Sequence, residues 1–422
     1  MSAEMLLDAR GRRRVAVTGV GVKTPGGNDV EALWSTLSEG RSAAAPTTGF
    51  DASRHSVKFA CEVKDFDPSA YFDVKEARRA DRVAQLGVAA AIDALASARS
   101  PLADPARCAV VVGTGVGGLR TLEEQERIYL EKGPERVSPF FVPMMMPNAT
   151  AALVGMLNGW TGPNVCVATA CAAGGHALGE GARLIRDGSA DLVLAGGTEA
   201  AVTPVAVAAF ARMGALSGRH DDPARASRPF DVDRDGFVIG EGAAFVVLEP
   251  LDSAVARGAD IWGELAGYGR TSDAFHITAP APGGAGAAAC MELALEDAGL
   301  TPSDIGHVNA HGTSTPLNDA AEAEAITKVF GERAVPIMSV KGALGHLVGA
   351  AGAVEAVASL LALRHGAVPP TANHETTDPA LAVDVVHGSP RALAPAPVLS
   401  NSFGFGGHNA SLVLTPVPAA AA

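Results

Sequence analysis

The chain has 422 residues, 48% of them hydrophobic, which is too long for one ordinary core and suits two or three units of roughly 100 to 200 residues. Its 33 basic and 46 acidic residues leave a net charge of −13, which speaks against nucleic acid as a partner, and no charge-free run of about 18 residues suggests a membrane span. The five cysteines, at 61, 108, 166, 171 and 290, are odd in number and lack CxxC spacing, so reduced thiols are expected rather than disulfides or structural zinc. The arginines at 10–14 precede the first apolar strand without a signal-peptide core, and a cytoplasmic enzyme is the expectation.

In chain order, residues 14–22 read as a buried strand ending in glycines. Gly19-Val-Gly21 lacks the third glycine of a dinucleotide fingerprint and is discounted. Residues 29–38 suit a short helix capped by Asn28 or Asp29. A longer helix is expected over 77–98, opened by the basic segment 75–82. A strand at 108–113 is followed by a charged helix at 122–132. Three methionines between prolines at 143 and 147 suit a flexible apolar lining, or equally a core or subunit contact.

The stretch 165–188 reads as buried strand, sharp turn and helix, with Cys171 on the elbow. A thiol there faces the N-terminal turn of a helix, whose free N–H groups and macrodipole favour thiolate; the bland alternative is a small core cysteine. Small residues on both sides suggest room for something to approach the sulfur. Buried strands follow at 191–199 and 243–248.

The second half echoes the first. Residues 240–250 parallel 406–416, both glycine-led strands closing on proline, and 335–366 repeat strand, elbow and helix. A duplicated α/β layer structure joined near 251–257 is the expectation. His311 stands at a strand end in a glycine-rich loop, and Lys341 and His346 occupy the second elbow. Zinc held by Cys171, His311 and His346 would lack short ligand spacing, so no metal is expected.

Thr169-Ala-Cys171-Ala-Ala-Gly, Asn309-Ala-His311-Gly-Thr-Ser-Thr, Lys341 through Gly345-His346, and Asn401-Ser-Phe-Gly-Phe-Gly-Gly407 resemble the β-ketoacyl-acyl carrier protein synthases, closest to their elongating, type II branch. The resemblance runs from about residue 13 to 415. It implies the thiolase fold, a duplicated five-layer αβαβα core, here with an N-terminal half 1–255 carrying the cysteine and a C-terminal half 256–422 carrying both histidines. It implies decarboxylative condensation of an acyl thioester on Cys171 with malonyl-acyl carrier protein, in fatty-acid or polyketide elongation. His311 and His346 would serve the malonyl half-reaction, and Lys341 would pair with Glu355. The N–H groups of Cys171 and Phe405 would form an oxyanion hole, with Phe403 and Phe405 as an aromatic gate.

Thr313 and Thr315 would hold the pantetheine arm, Val116 and Phe141 would line the acyl pocket, and Asp273 and His276 match a mobile facing loop. Substrates would arrive on phosphopantetheine, without a separate cofactor. The carrier protein would dock on Lys75, Arg78 and Arg79, with Arg82 and Arg219 as extensions, although the net negative charge opposes it at long range. A homodimer, or a heterodimer with a chain-length subunit, is implied. His408, where threonine is common, Gly342-Ala343 and the methionine run depart from the pattern. The rival readings are a non-catalytic chain-length subunit and a cysteine hydrolase of acyl thioesters.

Overall fold

Runs of valine, leucine and alanine buried on both faces make most of the strands, as expected where helices cover both sides of a sheet. The computed structural model describes residues 6–8 and 10–417. The large sheet contains, in chain order, β1 (Val15–Lys23), β2 (Cys108–Gly113), β3 (Asn164–Val167), β4 (Leu192–Glu199), β5 (Gly242–Pro250) and β6 (Gly263–Ser272). It continues with β7 (His307–Asn309), β8 (Pro336–Met338), β9 (Asp384–Val385), β10 (Val398–Gly404) and β11 (His408–Thr415). Their spatial order is β9-β8-β7-β10-β11-β6-β1-β5-β4-β2-β3.

The duplication is visible in the pairing. β2 lies parallel to β3 and β4, and β5 is antiparallel to β4 and β1. β7 lies parallel to β8 and β10, and β11 is antiparallel to β10 and β6. The glycine-led strands of the sequence repeat, β5 and β11, therefore occupy equivalent places. Only Ala16–Glu264 and Val17–Gly263 pair the two halves across β1 and β6.

Helices complete five layers. Arg82–Ser97 covers the outer face of the first half, and Ala285–Ala298 and Pro316–Phe330 cover that of the second. Between the halves run Ala173–Arg186 and Ala351–His365. The stretch Val348–His365 is apolar and long enough to cross a bilayer, but 83% of it is buried inside the fold; it is the central helix, apolar all round because protein surrounds it. The two central helices touch backbone to backbone. A Cβ on Gly174 would lie 2.7 Å from the Ala353 nitrogen, and one on Gly352 would lie 2.5 Å from the Gly175 nitrogen. Part of the small-residue crowding after Cys171 thus serves helix crossing, not access to the sulfur.

Two sequence expectations are corrected. The helix at 77–98 is two helices, Val74–Ala77 and Arg82–Ser97. Asp81 breaks it by capping the second, its carboxylate accepting from Val83 N at 3.0 Å and from the Thr121 hydroxyl at 2.6 Å. The strand containing Val165 is not buried: β3 is the outermost strand, and Val165 is 47% exposed. The cap Asp29, accepting from Ala32 N, and the helix Val30–Ser38 are as expected.

Candidate active site

Cys171 sits in the short turn Ala170–Ala172 that leads from β3 into the helix Ala173–Arg186. Ala170 has a φ of +50°, a left-handed conformation that costs an alanine about 1–3 kcal/mol and persists only where neighbours hold it. One neighbour is the turn after β10: a Cβ on Gly404 would come within 2.8 Å of the Thr169 carbonyl and 3.1 Å of the Cys171 nitrogen. Another is His176, one turn into the helix, whose Nδ1 lies 2.8 Å from the Thr169 hydroxyl. The backbone N–H of Phe405 lies close enough to the Cys171 sulfur to oppose the upward push of burial on the thiol.

Cys171 keeps partial access to solvent through the cavity, yet protein surrounds the sulfur. Burial pushes the thiol up to about 11, opposed by the Lys341 charge and the Phe405 N–H. Burial thus favours the thiol, against the pull of the elbow position toward thiolate.

The second elbow supplies two imidazoles. The rings of His311 and His346 lie 5.4 Å apart, nearly perpendicular, and Phe403 stands 5.9 Å from His311. Burial and the nearby Lys341 charge hold both histidines well below the usual imidazole range, so both are neutral. Lys341 Nζ approaches His311 Nδ1 at 3.3 Å, and the Val348 N–H donates to His346 Nδ1, also at 3.3 Å. With each Nδ1 accepting, each Nε2 carries the hydrogen. The pair presents two neutral N–H donors.

Lys341 itself is buried and fully engaged. Its three hydrogens go to Glu355, to the His311 carbonyl oxygen at 2.6 Å and to His311 Nδ1. Glu355 also receives the Ser402 hydroxyl at 3.4 Å. Glu322, which sequence reading missed, accepts from His311 N at 2.8 Å and Gly312 N at 2.7 Å, fixing the His311 loop; burial pushes its carboxyl up to about 7. Phe237, also missed, packs edge-on against His346 at 5.3 Å. Neither carries a local motif: one is a helix residue and the other a strand-like apolar residue.

A cavity of about 680 Å³ joins these groups. Cys171, His311, His346, Phe403, Phe405, Thr313, Thr315, Val116 and Asp273 line it, with Lys341 and Glu355 behind. The Thr313 and Thr315 hydroxyls lie 2.8 Å apart, and Thr315 also caps the helix Pro316–Phe330. Phe141 and His276 are not in the wall, and Phe141 instead opens the short helix Phe141–Met145. The methionine run packs its backbone on Gly117 and Gly118 and does not line the cavity. His408 faces His176, with ring centroids 6.5 Å apart. Gly342 has a physical reason: a Cβ there would lie 2.4 Å from the Ala372 carbonyl oxygen.

The proposed docking residues separate. Lys75, Arg78 and Arg79 are exposed, and Arg79 stacks over Phe140 at 4.2 Å. Arg82 is not available: it donates to both Glu241 oxygens and to the Val63 carbonyl, with Glu241 almost fully buried. Arg219 is half-buried and donates to the Asp233 carbonyl at 3.2 Å. Arg82 is thus structural, whereas Arg219 stays only partly exposed.

Fold and cavity together define a thiolase-fold acyltransferase. Residues 12–254 match the N-terminal domain of the beta-ketoacyl synthases and residues 262–375 their C-terminal domain. The chain is 49% identical over 405 residues to 3-oxoacyl-[acyl-carrier-protein] synthase 2 of Synechocystis sp., covering 95% of this chain and 97% of that one. It is 44% identical to the enzyme of the same name from Vibrio harveyi, over 96% and 99%. Among solved structures, the ishigamide ketosynthase/chain length factor is similar at TM-score 0.90 and 38% identity, covering 96% of this chain and all of that one. A beta-ketoacyl synthase from Burkholderia phymatum gives TM-score 0.90 at 37%, with the same coverage. The chain belongs to the β-ketoacyl synthase family, in its elongating branch. Its reaction is the condensation of an acyl thioester with a malonyl thioester in fatty-acid or polyketide elongation.

Proposed function

We propose that Cys171 accepts the acyl group as a thioester and that the Nε2–H groups of His311 and His346 bind the malonyl thioester carbonyl. The observation that carries this reading is the pair of neutral imidazoles, each with Nδ1 already engaged, facing the cavity that holds Cys171. Loss of CO2 leaves the electron pair of the broken C–C bond on the α-carbon as an enolate, whose oxygen needs donors already in place. The enolate carbon then attacks the acyl carbonyl, a C–C bond forms, and the C–S bond breaks to release the Cys171 sulfur. The N–H groups of Cys171 and Phe405 hold the tetrahedral oxyanion, Phe403 gates the cysteine, and Lys341 with Glu355 positions His311. Thr313 and Thr315 receive the pantetheine arm, and Val116 bounds the acyl chain. Neutral donors suit this task because they leave the malonyl carboxylate free of an ion pair that would oppose its loss.

Substrates arrive on the phosphopantetheine of an acyl carrier protein, and the chain's own groups supply the rest of the chemistry. One solved relative, at 31% identity, is described as a type II PKS acyl-carrier protein in complex with its ketosynthase. Cys171 with both histidines supports a catalytic subunit over a chain-length subunit, and we place it in the cytoplasm. The halves 1–255 and 256–422, whose extreme ends lie outside the described residues, bring the cysteine and the histidines respectively. Incubation with acyl and malonyl carrier proteins should yield the β-ketoacyl product. Free fatty acid as the main product would identify a hydrolase instead.

The dimer reading rests on β3. An outermost strand with exposed Val165, beside Met156 at 77% exposure, is an edge that invites pairing. A second copy would cover it, and a monomer in sedimentation at micromolar concentration would sink this part. Carrier docking is confined to Lys75, Arg78 and Arg79. Charge reversal at Lys75 and Arg78, which spares the Arg79–Phe140 stack, should raise the apparent KM for carrier-bound substrate and leave small pantetheine thioesters unaffected. Equal losses on both substrates would end the docking assignment.

A further inference from the structure

Glu199 closes β4 and is fully buried. Its hydrogen bonds come from neutral donors: the Thr114 hydroxyl at 3.0 Å on Oε1, and Gly115 N at 2.6 Å and Gly349 N at 3.1 Å on Oε2. Burial pushes its carboxyl up to about 7. A carboxylate buried without a cation is an expensive way to fill space, and an apolar residue of similar volume would serve stability as well or better.

What the carboxylate joins explains it better. The segment 114–116 runs from the end of β2 into the cavity wall at Val116. The segment 348–349 follows His346, and the Val348 N–H fixes the His346 tautomer. Val348 has a φ of +47°, a conformation that a β-branched residue adopts only under constraint. A Cβ on Gly349 would lie 2.3 Å from the Gly115 nitrogen, and one on Gly115 would lie 2.7 Å from Glu199 Oε2 and 3.0 Å from a Val348 methyl. The two segments are in backbone contact, and one Glu199 oxygen bonds both.

We propose that Glu199 is a positioning residue that locks the acyl-chain wall at Gly115 and Val116 to the His346 loop, so that seating of the acyl chain and orientation of His346 depend on each other. This rests on the roles given above to Val116 and His346. Loading of Cys171 then bears on decarboxylation through a chain of contacts that starts at Val116 against the acyl chain, ends at His346 against the malonyl group, and passes between them through Glu199, which neither ligand touches. A side chain at Val116 displaced by a long acyl chain moves Gly115, Gly115 moves the carboxylate, and the carboxylate moves Gly349 and the strained Val348.

The test uses the full-length protein with Glu199→Leu, which keeps volume without an acceptor, and Glu199→Gln, which keeps a carbonyl oxygen for the two glycine N–H groups. CO2 release from malonyl carrier protein is measured with Cys171 free or loaded with short or long acyl chains, beside acyl loading itself. Glu199→Leu should lose CO2 release roughly tenfold or more while short-chain loading stays within about twofold, and CO2 release should no longer vary with the loaded chain. Glu199→Gln should restore both. Wild-type CO2 release in Glu199→Leu, or equal loss of loading and CO2 release, overturns the proposal. If Glu199→Leu does not fold, Thr114→Val decides: weakened dependence on the loaded chain supports the link, and unchanged dependence overturns it. His346→Ala is the control. If it releases CO2 normally, the reading of His346 is wrong; if it alone loses release, only the link through Glu199 is.

Discussion

Cys171→Ala or Cys171→Ser should abolish acyl loading and condensation together, by a factor on the order of 10⁴ or more. Burial favours the thiol, pushing it up to about 11, and as the acyl group arrives the carrier's C–S bond breaks and the thiol proton passes to the departing pantetheine sulfur. A hydroxyl in the same place is a far weaker nucleophile and holds its proton more tightly. The surrounding donors remain in Cys171→Ser: Phe405 N–H and the two histidines keep their places, so residual binding of both substrates is expected. Intact-protein mass spectrometry after incubation with acyl carrier protein reads the result. An acyl adduct on any other residue would overturn the assignment of the nucleophile.

His311→Ala and His346→Ala should each slow CO2 release from malonyl carrier protein roughly 100- to 1000-fold, the usual cost of one preorganised donor, while Cys171 still accepts an acyl group. The half-reactions should separate because the histidines act on the malonyl carbonyl and not on the sulfur. His311→Ala carries a second effect, since it removes a partner of buried Lys341; Lys341 keeps Glu355 and the 311 carbonyl oxygen, so the fold should survive. Normal CO2 release in the double variant would refute the roles.

The pH dependence follows from the same burial. Both histidines are held neutral well below 6.5, so lowering the pH from about 8 to 6 should not switch off decarboxylation by protonating them. A histidine whose folded pKa is depressed contributes stability that is present above about 6.5 and is lost as pH falls through the folded value, because only the unfolded chain takes up the proton. His176 and His307, depressed to about 4 and about 3 by burial, add to this. Acid unfolding that steepens below about pH 6 is the expected signature, read by melting temperature against pH.

The amino-acid sequence by itself determined the elements whose signals are local. Strand-elbow-helix around Cys171, the glycine-led strands β5 and β11, the cap Asp29 and the stop at Gly366 each lie within a few residues of their cause. The motifs around Cys171, His311, Lys341 and His346 are equally local, which is why the reactive groups were legible. Even the break before Arg82 had a local signal in Asp81, overlooked in favour of the alanine-rich run behind it.

Only the tertiary structure decided what those groups are chemically. Arg82 meets Glu241 from 159 residues away, which turns a surface charge into a core ion pair. Glu199 bonds Gly349 across 150 residues, and Lys341 bonds the His311 carbonyl across 30. Val165 is exposed because β3 lies at the sheet edge, a matter of strand order and not of its own apolar neighbours. Protonation state, tautomer and burial depend on desolvation and on charges brought close in space. Periodicity and turn residues act over a few positions, whereas these electrostatic fields are assembled only when distant segments pack.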